Sequence, residues 1–70
     1  MNRKQLWIYA IREENSLRAN AAAWRMALDE APDEDARRAI RSLLRALEYA
    51  RDISAHTQRA LGALYRREEV

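Results

Sequence analysis

The chain has 70 residues, with 13 basic and 11 acidic side chains, one His, one Gly, one Pro and no Cys. That length allows one domain, residues 1–70, with a small core. The composition excludes disulfides, thiolate chemistry and Cys-based zinc sites, and a single Gly leaves no phosphate-cradling loop.

The first predicted element is a helix from about residue 3 to residue 30. One apolar stripe on it is Trp7, Ala10, Glu14, Leu17, Ala21, Trp24 and Leu28; a second is Ile8, Ile11, Asn15, Ala19, Ala22 and Met26. A helix apolar on two faces belongs inside an assembly. Glu13-Glu14-Asn15-Ser16 interrupts both stripes, so a kink or break over 13–16 is one expectation. The run Leu6 to Ile11 is rich in strand-forming types, which keeps a short N-terminal strand open as an alternative. That run is far shorter than the roughly 20 residues a membrane span needs. It also lacks a cleavage-like sequence before Arg12, so no membrane segment or signal peptide is expected and a soluble, cytoplasmic protein is.

Residues 29–35, Asp-Glu-Ala-Pro-Asp-Glu-Asp, form an acidic turn. Pro32 disfavours helix at Ala31, suits the first position of a new helix, and is followed by three carboxylates that complement the helix dipole. The second helix is predicted over about 33–67. Ala36, Ile40, Leu43, Leu47, Ala50, Ser54, Thr57, Leu61 and Leu64 follow 4-3 spacing along it. Ala39, Ala46, Ile53 and Ala60 flank this stripe on one side, Leu44 and Tyr65 on the other. Gly62 costs about 1 kcal/mol against Ala in a helix.

The expected fold class is therefore all-α: an antiparallel helical hairpin that assembles into a homo-oligomeric bundle. Folding at Pro32 places residues whose numbers add to about 64 opposite one another, such as Trp24 with Ile40 and Leu17 with Leu47. One hairpin cannot cover every apolar residue, and a homodimer with a four-helix core is the economical solution. The expected oligomer or partner interface is Leu6, Trp7, Ile8, Ile11, Leu44, Ile53, Leu61, Leu64 and Tyr65. Trp7 and Trp24 read as core anchors. Ala10, Ala50, Ser54 and Thr57 narrow the middle of the hairpin, which means either close helix approach or a shallow groove for a partner's side chains.

Catalytic chemistry has little to work with. His56 shares a helix face with Asp52, an ordinary surface pair. Glu13 and Glu14 point about 100° apart on a helix, and Ser16, Ser42 and Ser54 have no His-Asp partner set. No catalytic residue, metal site, cofactor or small-molecule substrate is expected.

The charges are more informative. Residues 29–35 carry −5, Glu68 and Glu69 carry −2, and the rest of the chain carries +9. Twelve of the 13 basic residues are Arg. Arg38, Arg41, Arg45, Arg59 and Arg66, together with Arg37, project into one outward arc of helix 2. Such a stripe is a solvated face, a surface for an acidic protein, or a track for a phosphate backbone. Asp33 and Glu34 can offset Arg37 and Arg38, and Glu48 can offset Arg45, whereas Arg41 and Arg59 have no obvious partner. The leading functional expectation is a non-enzymatic, oligomerising interaction protein, an adaptor or regulator, with itself and another protein as partners. The alternative is a nucleic-acid-binding regulator using the Arg face.

Overall fold

The computed structural model describes the backbone of residues 1–69 and the side chains of residues 1–67. Two helices, α1 (Arg3–Asp29) and α2 (Glu34–Glu69), form an antiparallel hairpin measuring 55 × 16 × 14 Å. The long dimension is that of α2, whose 36 residues at 1.5 Å each span about 54 Å. No strand occurs among the described residues. The apolar run 6–11 is helical, and α1 passes through 13–16 without a break. It does so because the interrupting polar residues divide between surfaces: Glu13, Asn15 and Ser16 are exposed, and Glu14 pairs with Arg18 at 3.1 Å.

Local chemistry sets the helix ends. Asn2 caps α1 in a reciprocal box: the Gln5 N–H donates to Asn2 Oδ1, and the Asn2 N–H donates to Gln5 Oε1, both at 2.9 Å. Asp33 caps α2, its Oδ1 accepting from the Ala36 N–H at 2.8 Å. Pro32 therefore stands just before the cap, where it stops α1, rather than at the first position of α2. The turn contains no residue at positive φ, and its Ala31 is buried.

The face of α2 that meets α1 differs from the expected 4-3 stripe. It keeps Ala36, Ile40, Leu47, Ala50, Ser54, Leu61 and Leu64 of that stripe and adds Leu44, Arg51, Ala55, Gln58, Gly62 and Tyr65, while Leu43 and Thr57 are exposed. One line through this face, Ala36, Ile40, Leu44, Leu47, Arg51, Ala55, Gln58 and Gly62, has 4-4-3 spacing, an 11-residue repeat of 3.67 residues per turn. It stays close to the natural 3.6 of a straight helix, whereas a 3.5-residue stripe drifts about 20° per heptad. Leu44, expected on the oligomer interface, is only 8% exposed and belongs to the seam inside the hairpin.

The register is also displaced. Trp7 meets Gly62 and Tyr65, Arg3 Nη1 donates to the Leu64 carbonyl at 3.2 Å, and Arg25 pairs with Glu48. Paired numbers thus add to between 67 and 73, not 64. Every Cα–Cβ bond tilts toward its own helix N-terminus. In an antiparallel pair the two tilts add, so a side chain on α1 reaches a residue several positions later on α2 than backbone level alone suggests.

Gly62 is a fitted position. A Cβ there would lie 2.9 Å from Trp7 Nε1 and 3.3 Å from Cε2. The Trp7 ring stacks on Tyr65 with centroids 5.4 Å apart, so it cannot retreat without opening that stack. Gly62→Ala should lower the melting temperature. Helix propensity alone would stabilise by about 1 kcal/mol, but overpacking of this kind costs about 1–3 kcal/mol. Circular dichroism and Trp fluorescence melts check this, and a raised melting temperature would show that the ring yields freely.

Candidate interaction surface

The hairpin has two unlike flanks. On one, Leu6, Tyr9 and Trp24 of α1 and Leu43, Tyr49 and Ile53 of α2 are all exposed. At 100° per residue they fall on the same side of the seam. Tyr49 at 71% and Ile53 at 50% are the most open of the α2 members. Midway along this flank lies an open groove of about 410 Å³, lined by Ala10, Glu13, Leu17, Tyr49, Ala50, Ile53, Ser54 and Thr57. All four small residues at the middle of the hairpin, Ala10, Ala50, Ser54 and Thr57, line this groove. They leave a depression bounded by larger side chains. Against this exposed surface the enclosed core is slight: Ala21, Ala31 and Leu44 are the buried hydrophobic residues among those described.

The opposite flank carries the cross-helix ion pair, with Met26 exposed on its α1 side. Arg25 crosses it to reach Glu48 at 3.3 Å, so Glu48 ties α2 to α1 rather than offsetting Arg45. Arg41 is not partnerless: its Nη1 lies 3.0 Å from Glu34 Oε1. Seven residues separate the two, a reach that i,i+4 reasoning does not find. The Arg41 guanidinium, by hydrogen bond and then by charge, holds the Glu34 carboxyl below its ordinary pKa, and Arg37 adds to this. A lowered carboxyl pKa makes this pairing fully present above the ordinary carboxylate range and lost as pH falls through the lowered value. Both partners are exposed, so the contribution is small and screened by salt.

Arg38, Arg45, Arg59 and Arg66 make no hydrogen bond or ion pair among the described residues. They lie at seven-residue multiples, with Asp52 at the missing step. Of the other expected interface residues, Ile53 stands at the groove and Leu6 on the same flank, while Leu64 and Leu61 are half-buried. Trp7 and Tyr65 are half-buried and engage each other within the hairpin. Ile11 borders the seam, and Ile8 lies on the opposite side of α1 from the groove. Gly62 was not anticipated as a packing residue. The available signal was a lone Gly inside a long helical pattern that also has a Trp to accommodate.

His56 is exposed. Among the described residues, no group of three or more His, Cys, Asp or Glu side chains is arranged to hold a metal ion, and no helix is long and apolar enough to cross a membrane. No protein-family model, curated protein or solved structure matches this chain.

Proposed function

We propose that this chain is a non-enzymatic interaction module that works by self-association, serving as an adaptor or regulator through the surfaces its assembly presents. The apolar flank carries this reading: it leaves six large apolar side chains exposed beside a core of Ala21, Ala31 and Leu44. Shape supports it. A compact chain of this length has a radius of gyration of about 11 Å, against 16.0 Å here. The accessible surface is 5366 Å², roughly 800 Å² more than a folded monomer of this mass exposes. That excess is about what each partner contributes to a standard-size interface. The test is the mass in solution. Light scattering at micromolar concentration should return at least twice the chain mass of 8.2 kDa, and the single-chain mass would overturn the reading.

The unpaired arginines favour a second reading, in which Arg38, Arg45, Arg59 and Arg66 contact a phosphate backbone. A self-associated molecule would present more than one such line. Binding to labelled duplex DNA, followed by anisotropy, should then weaken with salt at a slope near −0.9 per phosphate contact. Replacing Arg45 and Arg59 with Ala should reduce that slope by about two contacts' worth. No binding at low salt would leave these arginines as a solvated face.

A further inference from the structure

Beside the face that α2 turns to α1, a second stripe is left largely open. The positions at 4-3 spacing from Ala39 to Leu64 are exposed except Ala50 and Leu64, which are half-buried. The groove sits at the middle of this stripe. Its spacing, 4-3-4-3-4-3-4, reads the same in either direction about a point between Arg51 and Asp52. Pairing the stripe with its own reversal puts Leu43 against Ala60, Ile53 against Ala50, Leu64 against Ala39 and Thr57 against Ala46. Each of the larger side chains meets an Ala.

We propose that α2 pairs antiparallel with α2 of a second copy, through this stripe, about a two-fold axis between residues 51 and 52. The inference rests on the self-association reading and specifies its geometry. The 3.5-residue spacing is that of helices packed knobs-into-holes, and large-against-small layers fill the interface to interior density. A parallel pairing in register would instead stack Leu43 on Leu43 and Ala46 on Ala46, alternating overfilled and empty layers.

Charge agrees with the antiparallel choice. No charged residue lies on the stripe, and the positions beside it are Ile40, Leu47, Ser54 and Leu61 on one edge and Ser42, Tyr49, His56 and Ala63 on the other. Neither orientation thus forces like charges together along the contact, and orientation is left to side-chain size and to the ends. In the antiparallel arrangement the five carboxylates of residues 29–35 approach the other copy's open end, where Arg3, Lys4, Arg66 and Arg67 outnumber Glu68 and Glu69 in the sequence. A parallel arrangement would bring the two acidic turns together.

The test uses two full-length variants, Ala46→Cys and Thr57→Cys, mixed under mild oxidation and resolved by mass spectrometry. The positions oppose each other across the proposed axis, so the mixed disulfide should dominate. Each variant alone should give little, because its two copies of the Cys stand 11 residues apart along α2, about 16 Å, and a disulfide needs Cα atoms within about 7 Å. Circular dichroism confirms that each variant is helical, and Ala39→Cys with Leu64→Cys supplies a second opposed pair. Self-linked products from each variant would show parallel pairing and overturn the geometry while leaving self-association standing. A doubled mass without any disulfide at either pair would show that copies meet elsewhere and would also overturn it. A single-chain mass would instead remove the self-association reading itself.

Discussion

Leu44→Glu should unfold the hairpin, not merely separate its copies. Leu44 is 8% exposed on the line of α2 that faces α1. Removing the Leu gives up about 1.5–3 kcal/mol of burial. Leaving a carboxylate there without a partner costs several kcal/mol more, or forces it to take up a proton. A single core in a chain this short supplies only about 3–5 kcal/mol, so the substitution consumes the whole margin. Far-ultraviolet circular dichroism at neutral pH should show most of the helical signal lost at every accessible protein concentration. A variant that stays helical and associated would mean that Leu44 does not face α1, and the 4-4-3 seam would be wrong.

How much of this could be read beforehand depends on the range of the physics involved. The two helices and the break between them were legible because Pro32 and the carboxylates around it act on their immediate neighbours. The Asn2 and Gln5 capping box belongs to the same local chemistry and stands in the sequence as an Asn-x-x-Gln spacing. The orientation of α2 was not legible from hydrophobicity, since Leu43 and Leu44 are adjacent and the 4-3 and 4-4-3 lines each carry two polar residues, Ser54 and Thr57 on one and Arg51 and Gln58 on the other. What separates the lines is Gly62, which lies on the 4-4-3 line where the Trp7 ring needs space. The register failed for a geometric reason, because backbone level ignores the tilt of the side chains. The Arg41–Glu34 pair was missed because a long guanidinium spans two turns. The groove was foreseen as one of two outcomes for the small residues at mid-hairpin, and only the positions of Tyr49 and Ile53 around them decide between the two.

Ile53→Glu should break the association and leave the hairpin seam in place. Ile53 is half-exposed in the isolated hairpin and lines the groove at the centre of the apolar flank. In the antiparallel pair it meets Ala50 of the other copy, and symmetry places both Ile53 side chains near the axis. Each substitution gives up on the order of 2 kcal/mol of apolar burial, and both copies carry it. The two introduced carboxylates also repel across a water-poor interface. A total of about 4 kcal/mol or more weakens dimerisation by roughly a thousandfold, enough to bring a micromolar sample to the mass of one chain. The melting transition should also lose its dependence on protein concentration, since mass action no longer couples folding to association. Met26→Glu is the matched control. Met26 is an exposed large apolar residue too, but it lies on the opposite side of α1 from the groove, so its substitution should leave the mass unchanged. If Met26→Glu separates the copies and Ile53→Glu does not, the wrong flank has been assigned. If neither does, the apolar flank binds nothing that holds the copies together, and the exposed Tyr49 and Ile53 require a different partner.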